Sequence, residues 1–208
     1  MNSIRSKTRR PLASLPVKLG AVATAAAAAT ALVLTVTTSA TATSKTFSFA
    51  LQPSSAAISS CLPKASGHVT ITTGDLNDTM MVTVSGMPPN RGFDLFVIQT
   101  PGAPFGVSWY QTDVHSNGTG TGSATVKGVF DKETFSVSPG GTTTFAPTHQ
   151  YHLGLWFNNP AVPFNLGCEP GATAPIVTPF NGAQHAGIQV LNTAQFPVDA
   201  GPLSQVSR

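Results

Sequence analysis

Apolar and hydroxyl-bearing residues alternate at every second position, and this alternation restricts the chain more than any other feature. Thr46-Phe47-Ser48-Phe49-Ala50-Leu51 alternates cleanly, as does His68-Val69-Thr70-Ile71-Thr72 before a Gly74-Asp75 turn. Successive side chains of an extended chain point to opposite faces, so this spacing makes one face greasy and the other wet. Residues 80–85 continue the pattern and end at Gly86-Met87-Pro88-Pro89-Asn90. Residues 93–100 are apolar at both parities, which predicts a central strand. Further strands are predicted over 107–115, 122–130, 133–137, 149–157 and 187–192, most of them separated by Gly- and Pro-bearing turns. No stretch of the body holds an apolar period of about 3.6 residues. Roughly nine short strands at this spacing predict an all-β fold, an antiparallel β-sandwich of the Ig-like, Greek-key type with about 8–9 strands.

Residues 1–42 read differently. Arg5, Lys7, Arg9, Arg10 and Lys18 form a basic head, residues 19–40 carry no charge, and Ala40-Thr41-Ala42 supplies a small-x-small cleavage pattern. This predicts a signal peptide, an extracellular protein and, from the Ala-rich leader, a bacterial source. Thr8-Arg9-Arg10-Pro11-Leu12 resembles a twin-arginine signal; the alternatives are the general secretory route and an uncleaved anchor. Cleavage leaves six basic residues against eight acids, a net charge of −2. No cluster of Lys and Arg survives to release counterions from nucleic acid or anionic lipid. The expected organisation is a signal peptide over 1–42, one domain over 43–200 and a C-terminal tail over 201–208. No membrane span is expected after cleavage.

Two stretches, 138–148 and 158–185, are Pro- and Gly-rich and predict long loops. The chain has two cysteines, Cys61 and Cys168. In an exported protein such a pair predicts one disulfide, here closing a long loop and pinning the second Pro-rich stretch. Asn117-Gly118 and Asn77-Asp78 mark turns, the first with the residues that a tight reversal favours.

The motifs of common hydrolases, phosphate loops, His-Glu-x-x-His zinc sites and EF-hands are absent. Strand faces supply the candidates instead. Period two puts Trp109, Gln111, Asp113 and His115 on one face, with Tyr110, Thr112 and Val114 on the other. The second Trp-bearing face carries Gln150, His152, Gly154 and Trp156, opposite His149, Tyr151, Leu153, Leu155 and Phe157. Three readings follow. Trp109 and Trp156 stack on a sugar ring while Gln111, Asp113 and His152 bind its hydroxyls. Alternatively, Asp113 and His115 with His152 or His149 hold a metal, imidazole and carboxylate suiting zinc or copper. In the third reading both Trp pack beneath the long loops and the histidines are solvated turn residues. Asp94 alternates with Phe96 and Ile98 on an otherwise apolar strand, which places it at the strand's wet end or half-buried and hydrogen-bonded. Asp131 and Glu133 flank Lys132 in a predicted solvated turn, and His68 and His185 sit at strand starts.

The run Gly67-His68-Val69-Thr70-Ile71, followed by Met81-Val82-Thr83-Val84-Ser85-Gly86-Met87-Pro88-Pro89-Asn90, resembles secreted sandwich domains of the chordin-repeat (CHRD) kind. The next strand, Phe93-Asp94-Leu95-Phe96-Val97-Ile98, departs from that family's histidine-bearing pattern and does not carry over its metal role. Pro104-Phe105-Gly106-Val107-Ser108-Trp109-Tyr110-Gln111 and Gly187-Ile188-Gln189-Val190-Leu191-Asn192-Thr193 look like uncharacterised secreted bacterial β-sandwich proteins, a likeness that implies fold and location only. The expectation is a secreted, non-enzymatic binding or structural module with no resident cofactor. Its expected partner is extracellular polysaccharide or a cell-wall component. The alternative is an extracellular metal-binding protein or enzyme using Asp113, His115 and His152.

Overall fold

Ten strands and two short helices alternate along a computed structural model that describes residues 44–130, 149–181 and 184–206. In chain order they are β1 (Thr46–Pro53), α1 (Ala56–Cys61), β2 (Ser66–Thr72), β3 (Asp78–Ser85), β4 (Gly92–Ile98), β5 (Ser108–His115) and β6 (Gly122–Gly128). There follow β7 (His152–Phe157), α2 (Ala161–Asn165), β8 (Thr178–Asn181), β9 (Gln184–Ala186), β10 (Gln189–Asn192) and a 3-10 helix over Pro202–Gln205. The predicted strand at 133–137 and the loop at 138–148 lie outside the described residues, as does residue range 1–43.

Eight strands form one antiparallel array in the order β5-β4-β7-β10-β1-β2-β3-β6. β1 is the corner. Its first part, through Leu51, pairs with β2, whereas Gln52 and Pro53 pair with Asn192 and Leu191 of β10. The array therefore folds over into two layers, β1-β2-β3-β6 and β10-β7-β4-β5. The outermost strands, β5 and β6, also come into contact. This is an antiparallel β-sandwich, nearly closed along both sides.

The alternation seen in the sequence builds the first layer. Phe49, Leu51, Val69, Ile71, Met80, Val82 and Val84 point inward and are buried. The opposite face is a hydroxyl surface, where Ser48 meets Thr70 at 2.9 Å, Thr46 meets Thr72 at 3.1 Å and Ser66 meets Ser85 at 2.9 Å. Cross-strand hydroxyl pairs hold register without charge, which accounts for the paucity of Lys and Glu on these strands. In the second layer, β4 and β7 are buried on both faces. Phe93, Leu95, Val97, Leu153, Leu155 and Phe157 pack against the first layer. Phe96, Ile98 and Trp156 form a separate apolar cluster on the outer face with Ala186 and Phe105.

Cys61 and Cys168 form a disulfide across 107 residues and join the end of α1 to the segment following α2. Both helices are short departures from the strand-and-loop pattern. Ser55 caps α1 by accepting the Ile58 N–H at 3.2 Å, and Ile58 is buried. The stretch expected as one long loop, 158–185, instead carries α2, β8 and most of β9. The expected tail also belongs to the body, because Leu203 and Val206 are buried in the main core. The Asn117-Gly118 reversal is wider than predicted. The Asn117 carboxamide oxygen accepts the N–H groups of Thr119 and Thr121 at 2.9 and 3.1 Å, and Gly120, with φ 75°, takes the left-handed position. Among the described residues no helix is long and apolar enough to cross a membrane.

Candidate functional site

A cleft of about 1070 Å³ opens on the outer face of the second layer. β4 contributes Asp94 and Phe96, β5 contributes Ser108, Tyr110 and Asp113, and β7 contributes Trp156. The 99–107 turn adds Phe105, Asn158 follows β7, and the β8–β9 hairpin adds Thr178, Pro179 and His185.

A bulge determines which β5 side chains face the cleft. Leu95 is opposite Thr112 but Phe96 is opposite Tyr110, so Gln111 is an extra residue on β5. An extra residue reverses the alternation on either side of it. Tyr110 and Asp113 consequently share a face, although their spacing of three would separate them on a regular strand. Trp109 is thrown to the other side, paired with inward-facing Val97 at the sheet edge and left half exposed.

The floor is aromatic. Phe105 stands edge-on to Trp156 with ring centroids 4.8 Å apart, Trp156 edge-on to Phe96 at 5.4 Å, and Phe96 edge-on to Tyr110 at 5.6 Å. Such edge-to-face pairs add stability beyond their buried area. Phe105 is carried there by a tight turn in which Gln99 N–H donates to Val107 at 3.0 Å and Thr100 N–H to Phe105 at 3.1 Å. Gly106, with φ 66°, occupies a conformation that suits glycine.

Two carboxyl groups stand over this floor. Asp94 and Asp113 are directly opposed across β4 and β5, and their side chains share a hydrogen bond. Asn158 Nδ2 donates to Asp94 Oδ1 at 2.9 Å, and the Tyr110 hydroxyl donates to Asp113 Oδ1 at 2.9 Å. Asp94 is only 6% exposed. Its carboxyl is pushed up to about 6, chiefly by burial. The hydrogen bond and negative charge of Asp113 add to the rise, while Asn158 and the nearby His115 oppose it. Burial, followed by the hydrogen bond and charge of Asp113, pushes the Tyr110 phenol up to about 12.

The structure brings together only part of the set predicted from sequence. Asp113 and Trp156 line the cleft, but Trp109, Gln111 and His152 do not. Trp156 is covered and Trp109 lies on the opposite face, so the two rings form no common platform. His152 is fully buried. Its Nδ1 lies 2.9 Å from Thr193 Oγ1, and its Nε2 lies 3.1 Å from the carbonyl oxygens of both Pro197 and Val198. These neighbours assign the neutral ring with its proton on Nε2. Desolvation lowers the His152 pKa despite these backbone contacts. His152 is thus a pin for the 193–198 segment and does not converge with Asp113 and His115. His149 is held by the Tyr151 hydroxyl at 3.0 Å and stacks on that ring. Among the described residues no group of three or more His, Cys, Asp or Glu is arranged to hold a metal ion. Asp131 and Glu133 lie outside the described residues.

Sequence reasoning did not assign Tyr110, Phe105, Asn158, Ser108 or His185 to a site. Asp94 carried the one visible signal, an acid within an otherwise apolar strand. Comparison with known proteins adds no relative: no family model matches the chain, and no curated protein matches it.

Proposed function

We propose that this protein is an extracellular binding module whose cleft holds a sugar residue of a polysaccharide or cell-wall polymer. The basic head, uncharged run and Ala-x-Ala pattern at the N-terminus support secretion, and the Cys61–Cys168 disulfide suits an oxidising compartment. One observation carries the ligand class. The cleft sets the rings of Phe105 and Tyr110 beside Asp94, Asp113, Asn158 and Ser108. Sugars have apolar faces and hydroxyl rims, and this lining matches both.

The acid pair argues for binding over glycoside hydrolysis. Hydrolases of that kind hold their two carboxyl groups roughly 5–9.5 Å apart, with the glycosidic bond or a water between them. Asp94 and Asp113 instead hydrogen-bond to each other, which leaves no gap for either.

The test is affinity electrophoresis of the full chain in gels containing soluble glucans, chitin derivatives or cell-wall polymers. Retardation by one of them, lost in Tyr110→Ala and Phe105→Ala, is expected. Unchanged mobility in every gel refutes the reading.

A further inference from the structure

The cleft has an electrostatic character that a neutral sugar would leave unmatched. Its described lining contains two carboxyl groups and four aromatic rings, but no Lys or Arg. A buried carboxylate ordinarily has a cationic partner, because desolvating an unpaired charge is costly. Asp94 is nearly covered, yet its neighbours are a second acid, an amide and an imidazole. Asn158 and Tyr110 supply one donor each, to Asp94 and Asp113 respectively, and neither carries a positive charge. Only one proton is needed to bridge the two carboxyls, and above the pH at which it leaves, two anions face each other. The electron-rich faces of aromatic rings attract cations of low hydration, alkylated ammonium above all.

Resting on the sugar-binding reading, we propose that the ligand is a sugar bearing a positively charged nitrogen, an amino sugar or an alkylated derivative of one. The cationic nitrogen sits at the Asp94–Asp113 pair while the ring lies against Tyr110 and Phe105. Recognition is consequently coupled to pH. Asp94 faces Asp113, Tyr110 and His115 from β5 and Asn158 from the end of β7, while His185 of β9 lines the same cleft. Acid returns the bridging proton and removes one of the two negative charges. Losing that charge disfavours a cation.

Calorimetric titration of the full chain tests this with three probes: a fully N-trimethylated glucosamine oligomer, the N-acetylated oligomer of equal length, and tetramethylammonium. The charge of the first does not titrate, so its pH dependence reports the protein. At pH 7.5 the trimethylated oligomer is expected to bind at least tenfold more tightly than the acetylated one. Acidification to pH 5 is expected to weaken it about tenfold, since roughly a tenth of Asp94 then remains ionised. Asp94→Asn and Asp113→Asn, both close in shape, should each bring the two oligomers toward equal affinity. Equal affinity in the unmodified protein overturns the cation inference and leaves sugar binding standing. Binding of tetramethylammonium with neither oligomer overturns the sugar reading while retaining cation recognition. Failure of all three probes overturns both.

Discussion

Asp94 and Asp113 face each other across two antiparallel strands with a hydrogen bond between their carboxyl groups, and that bond requires a proton. An acid pair in contact is easiest to sustain when it carries a single negative charge. The fold enforces the contact, because β4 is locked between β5 and β7 and is buried on both faces. The pair therefore couples protonation to stability and, in the proposed binding mode, to ligand affinity.

The sign of the stability effect follows from the raised Asp94 pKa. In the unfolded chain the carboxyl loses its proton near 3.8, and in the folded chain near 6. Between those values the folded state holds more protons, so the contribution of Asp94 is fully present below about 3.8 and is lost as pH rises through about 6. A shift of that size corresponds to about 3 kcal/mol, and screening by solvent at the cleft reduces it to about 1–2 kcal/mol. Asp94→Asn, which does not titrate, should become more stable relative to the unmodified protein by that amount between pH 4 and pH 7. Urea denaturation of both proteins across that range gives the difference directly. A constant difference would show that Asp94 does not titrate in this window.

His152 behaves in the opposite sense. Burial lowers its pKa below the ordinary 6.5, so its contribution is present above that value and is lost as pH falls below it. His152→Ala removes a fully buried ring and its contacts to Thr193, Pro197 and Val198. A loss of about 3 kcal/mol is expected at pH 8, from the cavity and the stranded polar partners together. The deficit should narrow on acidification, as the unmodified protein forfeits the same interactions. A deficit that widens toward pH 5 contradicts the assignment.

The first layer was legible in the sequence because one of its faces is solvated, so its strands print a clean alternation. β2 and β3 carry Val69, Ile71, Met80, Val82 and Val84 at every second position for that reason. The cleft was not legible. Its geometry depends on one inserted residue, Gln111, and nothing in Trp109-Tyr110-Gln111-Thr112 marks that residue as the bulge. Counting by twos across it put Trp109 beside Asp113 and set Tyr110 on the other face. α1 escaped notice because six residues are too few to display a helical period. The cysteine pairing was legible because two cysteines allow a single connection. The burial of Leu203 and Val206 was hidden by a terminal segment that carries no periodic pattern.

The disulfide should account for a large share of the protein's stability. It closes a 107-residue loop between two short helical segments. Loop-closure entropy for that span predicts about 4–5 kcal/mol, an upper figure because native strain subtracts from it. Replacing both cysteines with Ala should lower the urea midpoint and steepen the transition, because the unfolded chain without the bridge is less compact and exposes more surface. Since neither Cys61 nor Cys168 lines the cleft, ligand affinity below the unfolding transition should be retained. Loss of affinity in a variant that still unfolds cooperatively would show that the bridge shapes the cleft.

Gly154 is where the backbone of β7 leaves room for the aromatic floor. A Cβ there would run into the Trp156 ring and would lie 2.5 Å from Gln189 Nε2. Neither neighbour is free to retreat, because Trp156 is held by Phe96 and Phe105, and Gln189 Oε1 accepts from Asn192 at 2.9 Å. Gly154→Ala is therefore expected to cost about 2 kcal/mol as an overpacking change. It should also displace Trp156 from Phe105, which near-ultraviolet circular dichroism would register as a loss of aromatic signal. Gly118→Ala is the control, since a Cβ there meets nothing within 4 Å, and it should leave both stability and spectrum unchanged. A Gly154→Ala protein as stable as the control, with its aromatic signal intact, would mean that the floor is loosely held. Tyr110 would then meet the ligand without a rigid partner beneath it.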